Sequence, residues 1–146
     1  MSPDLDQIDL VVRDMEKTIA FYRALGVGIP ESAIWRTASG AHHVDITMPG
    51  GLILHFDSAA LAKHYDRGWR EPMGSGTRNV FTFKLATPED VDGIHGRLTS
   101  LGHPSAQPPY DTFWGSRYAI VEDPDGNHVG LMTKSDPARR GPPPNL

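Results

Sequence analysis

The sequence predicts an α+β chain in which one strand-helix-strand unit is written twice, and three observations carry that prediction. Period-two apolar alternation opens each half, at Ile8–Val12 and at Phe81–Leu85. A helical stripe closed by Leu-Gly follows in each, at 25–26 and again at 101–102, 76 residues on. A turn built on proline then recurs at Pro49 and Pro124, 75 residues apart. A repeat of this length means two related modules, neither of which buries its apolar face well alone.

In chain order, Ile8, Leu10 and Val12 share one side of a half-buried strand. Asp14 is placed to cap the helix MEKTIAFYRAL, whose Met15, Ile19 and Tyr22 fall at i, i+4 and i+7, and Gly26 stops it. Met48-Pro49-Gly50-Gly51 then separates two strands of a hairpin. Ser58–Tyr65 is a short helical candidate. In the second half Phe81, Phe83 and Leu85 alternate. Thr87 caps a helix with Pro88 at its first position, where the missing N–H costs nothing. Val91, Ile94, Leu98 and Leu101 form its stripe, Gly102 ends it, and Asp123-Pro124-Asp125-Gly126 turns the second hairpin. The expected organisation is a first module at 1–57, a linker at 58–79, a second module at 80–133, and a loose tail at 134–146. The tail, with Pro142-Pro143-Pro144, has too little apolar content to fold alone and is expected to be loose or draped on a neighbour.

Bulk properties exclude several function classes. The 146 residues suit one structural domain made of two small modules. A net charge of -4 argues against a nucleic-acid partner, which needs concentrated basic surface. No apolar run approaches the roughly 20 residues of a membrane span, and no basic-then-apolar leader opens the chain. With no cysteine, disulfides, thiolate metal sites and a cysteine nucleophile are all excluded, and a cytoplasmic location is expected.

The runs IDLVVRDMEKTIAFYRALG and FWGSRYAIVEDPDGNHVGLM resemble the glyoxalase, bleomycin-resistance and extradiol-dioxygenase superfamily of vicinal-oxygen-chelate proteins, from about Gln7 to Met132. The Asp-Pro-Asp-Gly-Asn hairpin and the Phe-Tyr-Arg of the first helix are the most specific signatures. The resemblance implies two paired βαβββ modules forming a curled, cup-shaped sheet. It also implies a homodimer, often with pockets completed by both chains. Trp114-Gly115-Ser116-Arg117 most resembles the bleomycin-resistance branch, whose aromatic side chains stack on flat rings of a sequestered compound.

Metal-dependent members of that superfamily carry four ligands on the first and last strands of the two modules. Here those positions fall on Gln7, His55, Val80 (with Asn79 as a one-residue alternative) and Gly130. Valine and glycine offer no donor, so no metal or other cofactor is expected, and the balance tips against catalysis.

Centring the first hairpin on Gly50 pairs residues whose numbers sum to 100. His42, Val44, Ile46, Met48, Leu52, Leu54 and Phe56 then face the helices, while His43, Asp45, Thr47, Ile53, His55 and Asp57 face the cup. In this register Asp45 sits beside His55, and His43 beside Asp57. Gln7, Asp9 and Val11 join from the first strand, Thr82 and Lys84 from the second module, and His128 and Met132 from the last strand. Three readings of the His/Asp face stay open: a displaced metal site, a hydrogen-bonded network recognising a polar ligand, and a solvated polar face. Trp35, Trp69, Tyr110, Phe113 and Trp114 lie in connections or at strand beginnings, where aromatics serve ligand stacking or seal contacts between modules or chains.

The expected ligand-binding residues are therefore Gln7, Asp9, Trp35, His43, Asp45, His55, Trp69, Lys84, Tyr110, Phe113, Trp114, His128 and Met132. The expected activity is noncovalent sequestration of a bulky, partly aromatic small molecule such as an antibiotic. The competing expectation is an enzyme, either a lyase or dioxygenase with displaced metal ligands or an isomerase using a His/Asp general base. A third is a scaffold module whose cup is unused. Other patterns add nothing: His42 and His43 point to opposite faces of a strand, and Gly74-Ser75-Gly76 lacks the strand-turn-helix setting of a nucleophile elbow.

Overall fold

The computed structural model describes residues 2–74 and 76–145, so Ser75 of the Gly-Ser-Gly run lies outside them. The chain divides into two units, at 1–73 and 74–146. The first unit holds β1 (Gln7–Val12), α1 (Met15–Leu25), a 3-10 turn at Glu31–Ala33, β2 (Ile34–Thr37), β3 (Gly40–Thr47), β4 (Ile53–Ser58) and α2 (Ala59–Tyr65). The second holds β5 (Val80–Leu85), α3 (Pro88–Ser100), β6 (Ser105–Asp111), β7 (Arg117–Glu122), β8 (His128–Thr133) and a 3-10 turn at Pro137–Arg139. Each is a βαβββ unit with one four-stranded mixed sheet, ordered β1-β4-β3-β2 in the first and β5-β8-β7-β6 in the second.

The local signals act as expected. The Asp14 carboxylate accepts from the Lys17 N–H at the start of α1, and Gly26 ends it at φ +117°, a left-handed geometry that a side chain would strain. Thr87 and Asp90 close a reciprocal capping box on α3, with Pro88 in its first turn. Ser58 caps α2 by accepting from Leu61 N–H. Leu101, expected in the buried stripe, is instead exposed because the helix ends at Ser100 and Leu101 is its C-cap.

Both sheets pack one face on their helix. In the first unit Leu10, Val12, Val44, Ile46, Leu54 and Phe56 are buried with Met15, Ile19, Tyr22 and Leu25 of α1. Tyr22 and Phe56 hold the centre, with ring centroids 4.8 Å apart. In the second unit Ala119, Val121, Val129 and Leu131 are buried with Val91 and Leu98 of α3. Each large apolar side chain so buried contributes about 1.5–3 kcal/mol.

Two segments depart from expectation. The stretch after Ser58, expected to link the modules, belongs to the first unit up to Met73: α2 packs on its sheet, and Glu71 pairs with Arg13 at 2.8 Å. The tail, expected to be loose or draped on a neighbour, is bonded to its own unit. The Asp136 N–H donates to Gly115 at 2.9 Å and the Gly141 N–H to Phe113 at 2.8 Å. Backbone hydrogen bonds hold it where apolar content does not.

Candidate functional site

Strand register brings the polar residues of the first unit together. β3 and β4 pair His43 with Asp57, Asp45 with His55, and Thr47 with Ile53, the register expected from the turn at Gly50. On the other side of β4, parallel β1 places Gln7 beside Ile53, Asp9 beside His55, and Val11 beside Asp57. Two rows therefore cross three strands: Asp9, His55 and Asp45 in one, Val11, Asp57 and His43 in the next.

Each histidine is held through Nδ1 by a carboxylate. His43 Nδ1 lies 2.6 Å from Asp57 Oδ1, and the Tyr65 hydroxyl donates to Asp57 Oδ2 at 2.8 Å. Asp57 is 1% exposed, so both its oxygens are partnered in a nearly dry setting. Burial, and then the hydrogen bond to Asp57, push the Tyr65 phenol above its ordinary range, so it stays protonated and donates. His55 Nδ1 lies 2.9 Å from Asp9 Oδ1, whose other oxygen accepts from Gln7 Nε2 at 2.9 Å. The carboxylate bonded to His55 is thus Asp9, while Asp45 Oδ1 stands 3.8 Å from Nε2. Register alone placed Asp45 beside His55; the parallel strand on the far side supplies the better-aimed partner.

The two imidazoles meet edge to face, with ring centroids 4.8 Å apart. His55 Nε2 is buried and makes no hydrogen bond. Among the described residues, one ring nitrogen from each of His43 and His55 and one oxygen of Asp57 lie within 4.8 Å of one another. Tyr65 is the member that sequence reasoning missed. The available signal was its place in a short helix leaving β4 one residue after Asp57, which returns its last turn over the sheet.

The donors at the family's usual metal position do not fit an ion. Val80 has no lone pair. At Gly130 a Cβ would lie 2.5 Å from Thr82 Oγ1 and 3.0 Å from Tyr118 Cε2, so neighbouring side chains occupy the space of the missing ligand. Gln7 and His55 alone make an incomplete set for a divalent ion.

The open face of the second unit is aromatic. One row runs Tyr110, Tyr118, Met132 and Lys84 across all four strands. Tyr118 lies 6.3 Å from Tyr110 and 5.7 Å from Trp114, which meets Phe113 edge-on at 5.2 Å. Tyr110 and Phe113 are exposed, as is Lys84, while Trp114 and Met132 are half-buried. His128 Nε2 faces Glu122 at 3.6 Å. The remaining two aromatics stand elsewhere. Trp35, on edge strand β2, is exposed with its ring 5.4 Å from His42. Trp69 lies under Lys63 Nζ at 5.5 Å, in a groove of about 310 Å³ also lined by Asp66, Arg67 and Arg70. Trp35 is nevertheless the cross-strand partner of His43 between β2 and β3, so it borders the His/Asp network while its ring rests on His42.

The sequence profile of the glyoxalase/bleomycin resistance protein/dioxygenase superfamily matches residues 4–131, and the chain belongs to that superfamily. Its fold is similar to a glyoxalase-related enzyme from Fulvimarina pelagi, at 18% identity, TM-score 0.72, covering 90% of this chain and 88% of that one. It is also similar to the hypothetical protein SA1046 from S. aureus, at 22% identity, TM-score 0.69, over 92% and 95% of the two chains. A third likeness is to TioX from Micromonospora sp. ML1, at 20% identity, TM-score 0.60, over 90% and 98%. At these identities the likeness is one of fold. No curated protein matches the sequence. No helix among the described residues is long and apolar enough to cross a membrane.

Proposed function

We propose that this protein binds a bulky, partly aromatic small molecule, of the kind represented by aromatic antibiotics, and holds it without transforming it. The observation that carries this reading is Gly130, where Tyr118 and Thr82 fill the space that a metal ligand would need. The same face of the second unit carries Tyr110, Tyr118 and Trp114 as a surface for flat rings. Stacked aromatic pairs contribute about 0.5–1.5 kcal/mol beyond the area they bury, with little demand on directional chemistry. Lys84, in the same row as Tyr118 and Met132, selects a polar group of the ligand. The protein acts as a cytoplasmic homodimer.

The test is native mass spectrometry of gently purified protein, followed by titration of aromatic antibiotics with tryptophan fluorescence as the signal. Expected are a dimer, saturable quenching, recovery of the ligand unchanged, and affinity at least tenfold weaker in Tyr118→Ala. Turnover of the bound compound overturns the reading.

A second reading, proton transfer by His43, is favoured by one specific observation: buried Asp57, anchored by Tyr65, fixes the His43 ring through Nδ1. That is how a carboxylate orients a histidine base. Under this reading His43→Ala abolishes turnover, whereas a binder loses only affinity.

A further inference from the structure

We propose that His43, His55 and Asp57 form a divalent-cation site carried entirely by the first unit, sharing His55 with the family's four-strand ligand set but displaced from it onto His43 and Asp57. Three independent features point to it. The first is donor chemistry and spacing. Two imidazole nitrogens and one carboxylate oxygen lie within 4.8 Å of one another. Borderline divalent ions such as zinc, cobalt and nickel hold such ligands at about 2.0–2.2 Å, which sets neighbouring donors about 3–4 Å apart. Rotation of the two imidazoles spans the remaining difference.

The second is the state of His55. Its Nδ1 is held by Asp9, and its Nε2 is buried with no hydrogen-bond partner. A desolvated lone pair without a donor is costly. The polar atom facing it is Asp45 Oδ1 at 3.8 Å, and in the tautomer whose Nδ1–H donates to Asp9 both are acceptors. Two acceptors turned towards each other are stabilised by a cation between or beside them.

The third is charge. Asp9, Asp45 and Asp57 gather three carboxylates around two imidazoles on one sheet face. Asp9 plays the part that carboxylates play behind metal-bound histidines: it fixes the ring and raises the basicity of the opposite nitrogen. Gln7 in turn fixes Asp9 from the side away from the cluster, at 2.9 Å. His43 and Asp57, now 2.6 Å apart, open slightly to admit the ion between them. Asp45 is within a side-chain swing of becoming a fourth ligand. This site uses none of the positions occupied by Val80 and Gly130, and it stands whether or not the aromatic face takes a ligand.

The experiment is titration of the chelator-stripped full chain with Co²⁺, read by visible d–d absorption and by equilibrium dialysis. Expected is saturable uptake of one ion per chain with a d–d band typical of nitrogen and oxygen donors. His43→Ala and His55→Ala should each weaken uptake at least tenfold, and His42→Ala, on the opposite strand face, should leave it unchanged. Circular dichroism confirms that each variant is folded. Should Asp57→Asn fail to fold, His43→Ala still decides, because His43 lies outside the family's ligand positions. Absence of saturable binding, or binding that survives both histidine substitutions, overturns the proposal. So does loss on Gln7→Ala with retention on His43→Ala, which would put the ion at the family's usual position.

Discussion

The two units share one topology and one register, yet their open faces are opposites. His43, Asp45, His55 and Asp57 of the first unit correspond, 75 residues on, to Tyr118, Ile120, Gly130 and Met132 of the second. A hydrogen-bonded polar network is replaced, position by position, with aromatic and aliphatic surface. The opposite faces of the same strands tell the reverse story. Val44, Ile46, Leu54 and Phe56 correspond to Ala119, Val121, Val129 and Leu131, and all eight are buried. The fold is written on one face of each sheet, which leaves the other free to diverge.

The sharpest way to break that comparison is to truncate neighbours on opposite faces of β8. Leu131→Ala, in the core, should cost about 2–5 kcal/mol, and Met132→Ala, half-buried on the open face, about 1 kcal/mol or less. Urea denaturation measures both, and equal costs would refute the division of labour between faces.

Asp57→Ala should come next. It removes the acceptor shared by His43 and Tyr65 at a buried position and should cost about 2–3 kcal/mol. A double-mutant cycle with Tyr65→Phe should show a coupling of about 0.5–3 kcal/mol, because the two act through one bond. Additive effects would mean that the polar face of the first unit is a collection of independent groups.

The smallest of the three concerns Gly130. Gly130→Ala drives a methyl against Thr82 Oγ1 and should cost about 1–3 kcal/mol. In a Thr82→Ala background the penalty should fall, since the atom at 2.5 Å is gone. An unchanged penalty would place the strain in the Tyr118 ring instead.

How much of this was readable in advance follows from the range of each interaction. Helix caps at Asp14 and Thr87, the stop at Gly26 and the turn at Gly50 depend on a few adjacent residues, and all stand as expected. A turn centred on Gly50 pairs His43 with Asp57, which is the register of β3 and β4. β6 was harder to see because it carries Pro108 and Pro109, which a strand tolerates only at an edge or bulge; it is an edge strand with register shifts. The choice of Asp9 over Asp45 by His55, and the arrival of Tyr65 at Asp57, depend on β1 and α2 docking on β4. Such tertiary contacts leave no local trace.

Gly115 carries a practical consequence for anyone handling this protein. Its φ is +90° and a Cβ there would stand 2.3 Å from the Asp136 carbonyl oxygen, so the tail rests directly on the bare backbone beside Trp114. Ser135 and Gly141 add bonds to Trp114 and Phe113 on either side. The C-terminal segment is therefore a clasp on the aromatic wall. Cutting the chain before Asp136 removes the bonds that Asp136 and Gly141 make to Gly115 and Phe113, and with them the support beneath the aromatic wall.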